Sequence, residues 1–73
     1  MKLSKAEAVL LLYDKFTENH FVVKEDFLNE VEISDLTFRR YIGDIRCYLM
    51  EFHPNKEILY RKGDGVYHLK EIR

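Results

Sequence analysis

Between Ile33 and Arg46 the chain gathers Ser34, Asp35, Leu36, Thr37, Arg39, Arg40, Gly43, Asp44 and Arg46, and this set has one coherent chemistry. An arginine reads guanine or grips phosphate, and a threonine bonds phosphate or touches a thymine methyl. A glycine removes bulk where a second surface must come close. Arg61 and Lys62 repeat the theme nearer the C-terminus, beside Gly63, Asp64 and Gly65. Phosphate contacts from such a turn position a protein without reading sequence.

Catalytic arrangements are missing by comparison. Ser34 has no histidine near it in sequence, and His20, His53 and His68 lack the paired spacing of a zinc site. Glu25 and Asp26 are adjacent, so on a helix they diverge. Cys47 is the single cysteine, which excludes an internal disulfide, fits a reducing cytoplasmic compartment and reads as a small semi-buried side chain. The expectation is a non-enzyme without metal, cofactor or small-molecule ligand.

The elements that must position these residues follow from local signals. Ser4 and Glu7 form a capping box, which predicts a helix from there to about Asn19 with Val9, Leu12, Tyr13 and Phe16 as its buried stripe. Leu10 and Leu11 widen that stripe, so either the domain wraps the helix on two sides or the helix makes a homodimer contact. Residues 21–23 are a short β-prone run, and residues 24–31 a short second helix carrying Phe27, Leu28 and Val31. After a turn at Glu32 and Ile33, Ser34 caps a third helix over about 35–52, along which Phe38, Ile42, Ile45, Leu49 and Phe52 recur at helical spacing. His53 precedes Pro54 and stops it. Residues 58–61 and 66–69 then flank a four-residue glycine turn, with Ile58 and Tyr60 on one face of the first strand and Tyr67 and Leu69 on one face of the second.

Helix, strand, helix, helix, strand, strand is the order of a winged helix-turn-helix. The expected fold is therefore α+β, mainly α: three helices, a small antiparallel sheet and a C-terminal β-hairpin wing, in one domain over 1–73. With Phe38 as the buried direction and about 100° per residue, Leu36, Thr37, Arg40, Gly43, Asp44 and Cys47 project outward, with Arg39 and Arg46 on one flank.

The stretch from Ile33 to Arg46 resembles the helix-turn-helix of DeoR-type and WYL-associated bacterial transcriptional regulators: Ser34, Thr37, Phe38, Arg39, Arg40, Ile45 and Arg46 match their pattern. Gly65-Val66-Tyr67-His68-Leu69 is similar to the Gly-x-Tyr-x-Leu that closes their wing. Tyr41 departs from it, standing where an acidic residue usually follows the arginine pair. The likeness runs from the first helix to the wing and includes no effector domain, so it implies no sensed ligand. What it implies is double-stranded DNA as partner and a role in transcription regulation.

Charge is divided. Met1 to Ile33 holds four Lys against seven Asp and Glu, a balance of −3, whereas Ser34 to Arg73 holds eight Lys and Arg against six acids, a balance of +2. Every arginine lies in the second part, on the segments that would meet DNA. The overall charge of −1 favours the competing reading, a winged helix used for protein–protein contact, with Arg39, Arg40 and Arg46 forming a solvated face partly paired to Asp35, Asp44 or Glu51. No apolar run approaches the roughly 20 residues that cross a bilayer, and no secretory cleavage pattern follows the apolar run at Ala8 to Tyr13, so no membrane is expected as partner.

Overall fold

The structure, a computed structural model, describes residues 2–72; Met1 and Arg73 lie outside the described residues. Helix α1 spans Lys5–Asn19, strand β1 Phe21–Val23, helix α2 Lys24–Val31, helix α3 Asp35–Phe52, strand β2 Lys56–Arg61 and strand β3 Val66–Glu71. The strands form one antiparallel sheet ordered β1-β3-β2. Three helices with this sheet and its terminal hairpin make a winged-helix-like α+β fold.

The capping signals act as their residue types dictate. The Glu7 amide donates to Ser4 Oγ at 3.1 Å and the Ser4 amide to Glu7 Oε1 at 3.0 Å. These two bonds satisfy amides that have no partner inside the helix. At α3 the Thr37 amide donates to Ser34 Oγ at 3.1 Å. Both short connections out of helices turn through left-handed non-glycine residues, His20 (φ 68°) and Glu32 (φ 60°). In each the residue's amide closes onto a carbonyl four back, Phe16 and Leu28. This is a helix-ending arrangement glycine ordinarily serves.

The core is aromatic and lies between α3, the sheet and the other two helices. Phe38 is fully buried, its ring 5.8 Å from Phe27 of α2 and 5.2 Å from Tyr67 of β3. Ala8, Leu12, Phe16, Val22, Val31, Tyr41, Ile42, Ile45, Leu49 and Ile58 complete it. The helix faces differ from the expected stripes in three places. In α1 the fully buried row is Ala8, Leu12 and Phe16, four residues apart, while Val9 and Tyr13 are half-buried on its edge. The physical reason is that α1 packs on β1 as well as on α3, which turns Ala8 inward where its small side chain allows close approach. Phe52 is 67% exposed, because the last turn of α3 runs beyond the core and leaves its ring against Tyr48 at 5.1 Å. Tyr41 is buried, extending the core side of α3.

The hairpin reaches further than its apolar residues indicate. Register places Lys56 opposite Glu71 and Glu57 opposite Lys70, opposite-charge pairs that support two more rungs. Ile58 faces Leu69 and Tyr60 faces Tyr67, with the two tyrosine rings 4.6 Å apart. Cys47 is exposed rather than semi-buried, since it lies opposite Phe38 around α3. Among the described residues no helix is long and apolar enough to cross a membrane.

Candidate nucleic-acid interface

The third helix presents its N-terminal half to solvent on the side away from the core. Leu36 is 57% exposed, and Arg40, one turn further on, is exposed with no ion pair or hydrogen bond among the described residues. Gly43 follows on the same face, and no atom lies within 4 Å of where a Cβ would stand. A glycine inside a helix costs roughly 1 kcal/mol relative to alanine. Nothing within the domain requires it here, because its φ is helical and no neighbour crowds it. Leu36, Arg40 and Gly43 thus form a strip with one free cation between an apolar side chain and bare backbone.

Other candidate residues sit at the helix start and flanks. Ser34 Oγ caps the helix and donates to Thr37 Oγ1 at 3.0 Å, so both hydroxyls are engaged locally. Asp35 is held from two sides: Lys24 Nζ approaches Oδ1 at 2.9 Å, and Arg39 approaches Oδ2 through Nη2 at 2.8 Å and Nε at 2.9 Å. The hydrogen bonds from Lys24 and then Arg39 hold the Asp35 carboxyl below its ordinary pKa, and the same bond raises that of Lys24. Asp44 pairs with Lys5 of α1 at 3.4 Å. The Arg46 guanidinium donates to the Ile58 carbonyl at 3.1 Å, which ties α3 to β2 through a neutral acceptor, and no carboxylate among the described residues pairs with it.

The structure therefore brings the α3 residues to one helix but not to one face. Arg40 lies about 120° around the helix from Arg46 and about 100° from Arg39. Arg39 and Arg46 share another flank, Arg39 bonded to Asp35 of its own helix and Arg46 to Ile58 of β2.

The wing supplies the second cluster. Lys62, Gly63, Asp64 and Gly65 form its turn, with Gly63 at φ 101° and Gly65 at φ 68°, conformations that strain any residue bearing a Cβ. Lys62 projects free among the described residues, whereas Arg61 Nη1 approaches Asp64 at 3.6 Å, both largely exposed. An exposed pair of this length is worth little and gives way readily to a competing phosphate. The wing root is fixed to the helices by the Lys24 amide, which donates to the Gly65 carbonyl at 2.9 Å, and by Tyr67 against Phe38.

Lys24 belongs to this surface although it stands outside the basic second part of the chain. A signal for it exists in the sequence: a cation at the first position of a helix opposes the helix dipole unless a partner compensates it. That partner, Asp35, sits at the first position of the next helix. Comparison with known proteins returns no match: no protein-family model, no curated protein and no solved structure matches the chain.

Proposed function

We propose that the chain binds double-stranded DNA, with the N-terminal half of α3 in the major groove and the wing on the neighbouring backbone. The observation that carries this reading is the strip formed by Leu36, Arg40 and Gly43. A free arginine flanked by an apolar side chain and a bare helix backbone is suited to a base edge rather than to solvent alone. Arg40 reads a guanine, Leu36 touches a thymine methyl, and Lys62 with Arg61 holds phosphates. The role is sequence-specific recognition in transcription regulation of the DeoR type, exercised in a bacterial-type cytoplasm.

The competing reading, a winged helix that binds another protein, has its own support. Asp35 compensates both Lys24 and Arg39, Asp64 compensates Arg61, and the chain as a whole carries −1. A mobility-shift titration with random-sequence duplex at low and moderate salt separates the two. Duplex retarded at low salt and released at moderate salt supports DNA binding. Duplex left unbound by concentrated protein at low salt supports the protein partner instead.

A further inference from the structure

A second surface lies on the flank of the molecule away from the sheet. There α1 turns Leu10 outward at 64% exposure, while its neighbour Leu11 packs against the core. Beside it the C-terminal half of α3 exposes Tyr48 at 44% and Phe52 at 67%. The rings are ordered: Tyr13 meets Tyr48 edge-on at 5.6 Å, and Tyr48 lies 5.1 Å from Phe52. A groove of about 320 Å³ runs between the helices, lined by Val9, Leu10, Tyr13, Ile45 and Tyr48, with the Asp44 carboxylate, paired to Lys5, at its edge.

With about 200 Å² for an aromatic side chain, Leu10, Tyr48 and Phe52 leave roughly 300 Å² of apolar surface in water. A patch of that size matches the largest apolar patch a typical monomer exposes, which is often a functional surface. Ala6, Asp14 and Thr17, all exposed and at helical spacing from Leu10, continue its face along α1. A standard interface takes about 800 Å² per partner, roughly one-sixth of this chain's 5175 Å² surface.

Charge indicates what covers the patch. The C-terminal end of α1 carries Asp14 and Glu18 and no basic residue in its last turn. Lys15 is occupied by Glu30 of its own chain at 3.1 Å. The opposite end carries Lys2 and the positive end of the helix dipole, with Glu7 engaged in the capping box. Along its length α1 thus runs from a positive N-terminal end, with Lys5 already paired to Asp44 beside the groove, past the apolar centre at Leu10 to a negative C-terminal end. Such a face is complementary to its own copy after a two-fold rotation about Leu10.

We propose that this face receives a second copy of the chain, forming a two-fold dimer. In it the two α1 helices pack antiparallel, and Leu10 of each copy enters the groove between α1 and α3 of the other. The assembly stands independently of DNA binding and is measured without DNA. In sedimentation equilibrium the wild-type chain reaches twice its 8.8 kDa mass as concentration rises. Leu10→Glu places a carboxylate in that groove and weakens self-association more than about tenfold. Its circular dichroism and Tm stay close to wild type, because the site is exposed in the monomer. Reversing Asp14 and Glu18 to Lys also weakens the dimer, and adding Lys2→Glu restores it. A wild-type chain that stays monomeric at the highest attainable concentration, or a Leu10→Glu chain that associates as wild type does, overturns the proposal. A dimer indifferent to the charge reversal overturns the antiparallel arrangement.

Discussion

Arg40 and Gly43 carry most of the functional argument, and each answers to a single substitution. Arg40→Ala removes the free cation of the outward strip and should weaken duplex binding measurably. Exposed substitutions usually move stability by less than about 0.5 kcal/mol, so thermal unfolding should not change. An Arg40→Ala protein that unfolds would show that the outward face of α3 is misassigned. Gly43→Ala works in the opposite direction on stability. With open space around the position and a helical backbone, alanine should stabilise by roughly 0.5–1 kcal/mol. Paired thermal melts and anisotropy titrations should then show a higher Tm with weaker duplex binding, since the added methyl holds the groove away. Stabilisation with binding unchanged would mean that no partner backbone or base approaches Gly43. Gly43 and Arg40 were readable in the sequence because helical spacing from Phe38 sends both outward. The engagement of Arg39 was less readable: its partner Asp35 was nameable from the i, i+4 spacing, but the second hand on that carboxylate comes from Lys24 of another helix.

Among the elements, α3 depends on Phe38, which touches both α2 and the wing strand through its ring. Phe38→Ala should cost about 3–5 kcal/mol, comparable to the entire stability of so small a domain. Urea or thermal unfolding followed by circular dichroism checks this, and a variant that stays as stable as wild type would contradict the packing described. The wing tests differently. Arg61→Ala with Lys62→Ala leaves Gly63, Gly65, Tyr60 and Tyr67 in place, so the hairpin should remain folded. Affinity should drop for every duplex alike, and the salt slope should flatten by about one log–log unit for each phosphate no longer neutralised. Unchanged affinity and slope would remove the wing from the interface. Element boundaries were legible because strong local residues set them: Ser4 with Glu7, Ser34, Pro54 and the paired glycines. Burial at the element edges was not. The apolar rhythm of α3 continues to Phe52 although the core ends before it, and Ala8 gives too weak a hydropathy signal to reveal that α1 turns it inward. The charged rungs Lys56–Glu71 and Glu57–Lys70 look like loop until their cross-strand pairing is seen.

For the whole molecule, a net charge of −1 leaves little long-range attraction to DNA, so affinity must come from a few close contacts. Among the described residues Arg40 and Lys62 are free, and Arg61 and Arg39 are held by exposed or half-exposed carboxylates that a phosphate can displace. This sets a modest electrostatic contribution and makes it countable, since each phosphate neutralised on a duplex contributes about −0.9 to the dependence of log K on log salt. The winged-helix arrangement was legible from the order of the elements alone. The partition of cations into free and compensated was not, because it depends on side chains brought together from α1, α2, α3 and the wing. The most direct test of DNA binding is therefore an anisotropy titration of a labelled duplex with the full chain across a series of salt concentrations. Binding at low salt with a log–log slope of roughly −2 to −4 is expected, the value for two to four phosphate contacts. A duplex that stays unbound at low salt and high protein concentration, or binding whose affinity does not change with salt, would contradict it.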